Sequence, residues 1–255
     1  MIVAQQNDSF IMINQHDHAK VSGLLAENWR DDYFFGVERK LDVIFAIYEH
    51  DRGWIDLDKN PLLNKRTQIP FSFIDYPLAP KIAHYKKGID EVEFKNKYAA
   101  LLCSLHYGSF LQHSDDQYSQ NFYKQEVQRQ QTLLKMLNII GIIQKEKQLQ
   151  YHLDMLKFCD NLSLYICLNK PGVDKSKEHP FYRNGFSQRF HFANNQRIDA
   201  HWKDEETVSL SVSPHAKEVE VLLPYKEVEK KHILEFGLSK AFHNAPHSTR
   251  KVKFI

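Results

Sequence analysis

The segment LQYHLDMLKFCDNLSLYICL, residues 149–168, has the apolar spacing of a long buried helix. That spacing predicts an α-helix over residues 145–168. Asp160 lies on the apolar stripe, where a carboxylate is costly unless it is paired or binds a cation. An ion pair with a neighbouring helix is the alternative to a metal ion. The other members of the stripe recur at steps of three and four: Leu149, Leu153, Leu156, Leu164 and Cys167.

Four further helices are predicted on the N-terminal side of this segment. Asp17 has the position of an N-cap for a helix that ends near Trp29. At Gly53 we expect a left-handed residue that ends the second helix and lets Trp54 pack back on it. Apart from the first, the predicted helices cover residues 37–51, 90–112 and 119–143, and the second has the stripe Leu41, Ile44, Phe45 and Tyr48.

Residues 55–82 contain four prolines among aromatic residues and predict a long irregular segment. Loops of that length in a compact domain are usually functional. The aromatic residues in and beside the segment could line a pocket, although packing of the loop onto the helices is the simpler interpretation. They are Trp54, Phe71, Phe73 and Tyr76.

The two ends of the chain have strand patterns. The start, MIVAQQNDSFIMINQ, predicts a β-hairpin, and β-type alternation returns after Pro171-Gly172 in FSQRFHF, IDAHWKD, TVSLSVSP, VEVLLPY and RKVKFI. The expected fold is mostly α, a helical bundle with an N-terminal hairpin and a β-rich C-terminal part packed on it. We expect residues 1–182 to form the helical domain with its hairpin and residues 183–255 to form the β-rich subdomain. The two parts are expected to pack as one unit, in which the hairpin can pair with the C-terminal sheet.

Composition narrows the classes of partner. The 255 residues have a formal net charge of +2, which gives no electrostatic reason to expect nucleic acid or a membrane as partner. No apolar run approaches the roughly 20 residues of a membrane span. The three cysteines lack C-x-x-C spacing, and no signal peptide is evident, so we expect a cytoplasmic protein.

Several histidine and aspartate side chains share the inward faces of the predicted helices. His106 follows Ala99 and Leu102 on one face, and His18 precedes Val21 and Leu25 on another. Imidazole and carboxylate together are the ligands of Zn²⁺, Fe²⁺ or Mn²⁺. His16 competes with His18, but the spacing favours His18. The predicted metal ligands are His18, His50, Asp51, His106 and Asp160.

The ordered set HAKVSGLLAENW, YEHDRGW and FCDNLSLYIC resembles the HD-domain superfamily of metal-dependent phosphohydrolases over residues 15–170. The resemblance implies an HD-like bundle in which His18, His50, Asp51 and Asp160 hold one or two divalent ions such as Mn, Fe or Zn. His84 and His106 stand where enzymes with two metals have extra histidines. The whole chain also resembles an uncharacterised family of bacterial HD-like proteins, through QHDHAKVSG, YEHDRGW and SLHY.

The resemblance implies hydrolysis of a phosphate ester or nucleotide-like substrate by a metal-activated water. Asp51 and His106 are then the expected catalytic residues, and Arg52, Arg66 and His84 are candidate contacts to a small anionic substrate. The competing hypothesis is a non-enzymatic, metal-stabilised protein that binds a partner or small ligand, for instance through its C-terminal sheet. An oxygen-activating enzyme with a mixed-valent di-iron centre is a third possibility.

Overall fold

A computed structural model describes residues 1–255, and helices dominate it up to residue 168. None of the helices combines the length and apolarity that a bilayer crossing requires. The first seven are α1 (Gln15–Glu27), α2 (Lys40–Glu49), α3 (Trp54–Lys59), α4 (Leu78–Lys95), α5 (Lys97–Leu111), α6 (Gln117–Met136) and α7 (Ile143–Leu168).

A six-stranded sheet joins the two ends of the chain. The strands are β1 (Ile2–Gln5), β2 (Ser9–Ile13), β3 (Leu63–Asn64), β4 (Ile69–Pro70), β5 (Ala200–Trp202), β6 (Thr207–Leu210), β7 (Val219–Glu229) and β8 (His247–Phe254), with α8 (Lys230–Phe236) and α9 (Leu238–Asn244) between β7 and β8. The sheet has the order β1-β2-β7-β8-β6-β5, and β3 pairs only with β4. All neighbours are antiparallel except β6 and β8. The mostly α fold with an N-terminal hairpin and a β-rich C-terminal part is confirmed.

The N-terminal hairpin belongs to this sheet, because Phe10 of β2 is paired with Val228 of β7. This is the pairing with the C-terminal sheet that the sequence suggested. One core of 51 buried residues also draws on both predicted parts. Trp29, after α1, contributes to it by edge-to-face contacts with Phe158 of α7 and Phe190 of the C-terminal part, at centroid distances of 5.7 and 5.3 Å. The helices and the sheet therefore share their apolar interior.

Several predicted boundaries were wrong. The predicted helix 90–112 is two helices, because Asn96 ends α4 and caps α5 by accepting the Ala99 N–H at 2.9 Å. The irregular segment 55–82 contains α3 and the start of α4, and FSQRFHF forms no strand. Its Phe190 is buried in aromatic contacts instead of lying in a ladder. The helices α8 and α9 were not predicted.

Details of the first two helices also differ from prediction. Asn14, not Asp17, occupies the N-cap position of α1, and Asp17 pairs with Lys20 in the first turn. Leu41 is 82% exposed, whereas Val43 is buried in α2. The buried face of α2 is therefore rotated relative to the predicted stripe. His50 follows Val43 and Ile47 on this buried face, as its spacing predicts, and therefore points to the interior.

The turn after α2 depends on a close contact between two glycines. Gly53 lies immediately before α3, and Gly88 lies on α4. Gly53 has φ −58°, so the predicted left-handed conformation was wrong. A Cβ on Gly53 would overlap the backbone oxygen of His84, and one on Gly88 would lie 2.5 Å from the Gly53 nitrogen. Close backbone approach is therefore the reason for glycine here. Trp54 is 1% exposed and packs edge-to-face on Tyr76, as the packing interpretation requires. Trp54 and Phe73 also line a cavity, so the pocket interpretation holds for these two.

Candidate metal centre

Five potential ligands meet in the interior of the helical body. His18 comes from α1, His50 and Asp51 from the end of α2, His106 from α5 and Asp160 from α7. All five side chains are buried. The structure therefore brings together the side chains that helical spacing had placed on inward faces.

The ligand atoms form two triads that share one histidine. His18, His50 and Asp51 make the first, and His50, His106 and Asp160 make the second, with the ligand atoms of each triad within 4.8 Å of one another. His18 Nε2 lies 2.6 Å from Asp51 Oδ2. His50 Nε2 lies 3.4 Å from Asp160 Oδ1, and His106 Nε2 lies 3.5 Å from Asp160 Oδ2. These buried groups could hold a metal ion.

The protons on His50 can be assigned from its neighbours. Its Nδ1 lies 2.7 Å from the backbone oxygen of Ile47, which can only accept, so Nδ1–H donates. The Nε2 of neutral His50 is then a lone pair, buried without a hydrogen-bond partner and facing the carboxylates of Asp51 and Asp160. A cation is needed between these groups: a proton on Nε2 when no metal is bound, or a metal ion in the place of that proton. Burial lowers the pKa of His50, but the two carboxylates outweigh burial and raise it to about 9.

Ser163 orients His18 through a chain of buried hydrogen bonds. The Ser163 hydroxyl donates to the backbone oxygen of Asp160 at 2.9 Å, and its oxygen lies 2.7 Å from His18 Nδ1. The oxygen therefore accepts from Nδ1–H, and His18 Nε2 is directed at Asp51. Sequence reasoning missed Ser163, although its place three residues after Asp160 on a buried face was a usable signal.

Tyr107 holds the other oxygen of Asp51. Its hydroxyl donates to Asp51 Oδ1 at 3.0 Å, and its ring stacks on Tyr85 at a centroid distance of 4.0 Å. Burial alone would raise the pKa of Asp51, but the imidazoles of His50 and His18 hold it well below its usual range. Asp51 is therefore an oriented, ionised carboxylate. Tyr107 was also missed, because its contact joins α5 to the turn after α2.

His106 is held in its neutral form. Burial lowers its pKa to about 4, with the nearby Asp160 carboxylate opposing that effect. Neutral imidazole is the form that binds metal ions. Its Nδ1 is buried and has no hydrogen-bond partner.

A cavity of about 520 Å³ opens over one side of the cluster. Asp51, His106 and Asp160 are part of its lining, together with the two lysines Lys81 and Lys157. The volume is within the range of small-molecule sites. The arrangement thus combines a buried set of nitrogen and oxygen donors with space for a ligand beside it.

The structure does not bring the three predicted substrate residues to this cavity. Arg52 is ion-paired with Glu49 and Glu91 at 2.8 and 2.6 Å. Arg66 is exposed in the turn between β3 and β4, and His84 bonds through Nδ1 to the backbone oxygen of Pro80 at 2.8 Å. Arg52 pairs across the contact between the end of α2 and α4, His84 bonds within α4, and Arg66 lies in a hairpin turn, so none of the three lines the cavity.

His16 is outside the cluster as well, which supports the choice of His18 as the α1 ligand. It lines a separate cavity of about 290 Å³ with His243 and His247. Lys81 and Lys157 were not predicted to contact a substrate. Lys157 offered a signal, since it lies one helical turn before Asp160.

The fold and the site together define a mostly α protein with a buried histidine–aspartate centre under a cavity. Residues 1–230 match the family model described as "Protein of unknown function (DUF3891)", and the chain belongs to that family. The predicted resemblance to an uncharacterised family is thereby confirmed, while the match provides no evidence for the HD superfamily. No curated protein and no solved structure matches the chain significantly.

Proposed function

We propose that this chain is a metal-dependent hydrolase of the HD type that acts on a small phosphate ester. The observation that carries the proposal is the buried pair of ligand triads at the edge of a cavity. Histidine and aspartate donors suit Zn²⁺, Fe²⁺ or Mn²⁺ better than Mg²⁺ or Ca²⁺, which favour all-oxygen sites. The order of the donors along the chain, with His50 and Asp51 adjacent, supports the HD assignment.

A single ion accounts best for the donor set. Both triads need His50 Nε2, because His50 Nδ1 is committed to Ile47. That nitrogen has one lone pair and binds one ion. One ion bound by donors from both triads therefore accounts for all the donors of the cluster. This argues against the mixed-valent di-iron alternative.

A bound divalent ion supplies Lewis-acid activation of water and of a phosphoryl oxygen. Asp51 lines the cavity in ionised form, with Oδ1 held by the Tyr107 hydroxyl, and can accept a proton from the attacking water. We assign His106 as a ligand, because its imidazole is neutral and faces Asp160. Water adds to phosphorus, the ester P–O bond breaks, and the proton that Asp51 accepted from the water passes to the leaving alkoxide, which departs as the alcohol.

The competing non-enzymatic function receives less support from the C-terminal sheet. Outward side chains of β7 and β8 form ion pairs with each other, such as Lys251 with Glu220 at 2.7 Å. Both of these residues are exposed. Charged pairs of this kind are typical of a sheet face that water covers, and Leu222 of β7, 56% exposed, is the large apolar side chain on that face of the strand.

Metal analysis of the purified chain tests the proposal, with His50→Ala, Asp160→Ala and a control, His84→Ala. We expect about one transition-metal ion per wild-type or control chain and a loss of most of it in the other two variants. A panel of phosphomonoesters, phosphodiesters and nucleotides then tests hydrolysis. Absence of metal, with all variants equally stable, would contradict the metal centre. Bound metal without turnover of any substrate would favour the binding protein.

A further inference from the structure

Three exposed apolar side chains line the cavity over the metal centre, and their exposure places them at its mouth. Ile74 follows β4, Phe110 is on α5, and Phe181 lies in the connection after α7. They are 56%, 55% and 61% exposed. Exposed apolar residues are usually scattered, and a convergent group marks a binding surface. Their convergence from three separate segments at one opening indicates that the cavity takes an apolar group.

The wall between this mouth and the cluster is apolar as well. Phe73 and Leu164 line the cavity next to the aromatic rings of Tyr85 and Tyr107. His106 is packed edge-to-face against Phe110 at a centroid distance of 4.7 Å. A ligand that reaches the metal centre from the mouth therefore has an apolar surface along its path.

The only other charged groups in the lining are cations. Besides Asp51 and Asp160 of the metal centre, the charged residues there are Lys81 and Lys157. Lys157 is half-buried, has no carboxylate within salt-bridge distance, and lies on the same face of α7 as Asp160. Lys81 donates to the backbone oxygen of Phe73 at 3.2 Å and also lacks a carboxylate partner. Both ammonium groups are available to an anion.

We infer that the cavity binds a phosphomonoester with an aromatic or other compact apolar body, and that Lys157 binds its phosphate. The inference rests on the proposed function. The phosphate lies between the metal centre and Lys157 and Lys81, and the body lies against Phe110 and Phe181. Two lysines and a divalent ion exceed the charge of two carboxylates by two, which matches a phosphomonoester dianion better than the single charge of a diester.

Calorimetric titration of the metal-loaded full chain with phenylphosphonate and methylphosphonate tests this inference without turnover. Both probes carry the dianionic head, and their C–P bond is not hydrolysed as an ester. We expect phenylphosphonate to bind about tenfold more tightly or better, because its ring is buried. We expect Lys157→Met to weaken both probes by about tenfold, because it removes a charge-assisted hydrogen bond.

Phe181→Ala should reduce the advantage of the phenyl probe and leave methylphosphonate unchanged. The matched controls are Lys147→Met, an exposed lysine of α7 outside this cavity, and Phe94→Ala, which is 94% exposed on α4. Equal affinity of the wild type for the two phosphonates would overturn the inference that the ligand has an apolar body. This comparison needs no variant. Unchanged binding by folded Lys157→Met would overturn its role. Both failures would leave the metal content intact. Failure of the proposed function is distinguishable, because it appears either as absence of metal or as absence of turnover in a chain that binds metal.

Discussion

At the scale of single residues, Ser163 fixes the chemistry of the centre without being a ligand. The hydroxyl donates to the backbone oxygen of Asp160, so its own oxygen can accept from His18 Nδ1–H. This choice of tautomer leaves the lone pair of His18 on Nε2, the atom that faces Asp51. Such outer hydrogen bonds commonly determine how strongly a histidine binds metal.

Ser163→Ala should therefore weaken metal binding by about tenfold or more while the fold persists. The measurement is competition for the metal with a chelating dye. Ser119→Ala is the matched control, because Ser119 is equally buried, on α6, and its hydroxyl has no hydrogen-bond partner. Equal metal affinity of Ser163→Ala and wild type would show that His18 does not depend on this bond.

At the scale of elements, the contact between Gly53 and Gly88 places the His50-Asp51 turn. The backbone of α4 lies against the turn so closely that neither position has space for a Cβ. The neighbouring atoms are backbone, which cannot move aside as a flexible side chain can. Any side chain here must push α4 away from the end of α2.

Gly88→Ala is expected to destabilise the fold by about 2 kcal/mol or more, because overpacking forces a backbone shift. We also expect weaker metal binding, since the shift displaces Asp51. Urea unfolding measures the stability, and dye competition measures the metal. Gly108→Ala on α5 is the control: its Cβ would meet the flexible Gln130 side chain at 3.4 Å. That variant should be neutral or stabilised by up to about 1 kcal/mol. Equal stability of the two variants would argue against the close contact.

At the scale of the whole molecule, buried neutral histidines connect separate parts of the chain. His152 of α7 donates from Nε2 to the backbone oxygen of Phe35 at 2.6 Å and accepts at Nδ1 from the Tyr98 hydroxyl at 2.6 Å. His215 of the C-terminal part donates to the backbone oxygen of Leu25 in α1 at 3.1 Å. Burial lowers the pKa of each of these two histidines to about 4.

The free energy of unfolding should therefore fall as pH decreases from about 6.5 to about 4. In that window the unfolded chain binds protons at these histidines, and the folded chain does not. We expect His152→Gln to have a lower free energy of unfolding than the wild type at neutral pH. The slope of that free energy against pH should also be smaller in the variant, by up to about 1.4 kcal/mol per pH unit. Urea titrations with a chelator present measure both, and the exposed His201→Gln should keep the wild-type slope. A slope unchanged in His152→Gln would contradict this origin.

The helices and the ligand set could be predicted from the sequence because both are local patterns. Helical spacing alone put His18, His106 and Asp160 on inward faces, and the structure brings their ligand atoms into the two triads. Boundaries were less predictable. The break at Asn96 depends on a side-chain cap, and the position of Leu41 depends on which neighbours cover α2.

The tertiary structure determines which side chains surround the candidate ligands. Tyr107 reaches Asp51 across 56 positions of the chain, and Ser163 reaches His18 across 145. No local period encodes such pairings, because they depend on how helices pack against each other. The same packing directed Arg52 into ion pairs and Lys157 into the cavity. The sequence alone thus determined the donor set, whereas its hydrogen bonds, its cavity and the cations beside it exist only in the packed fold.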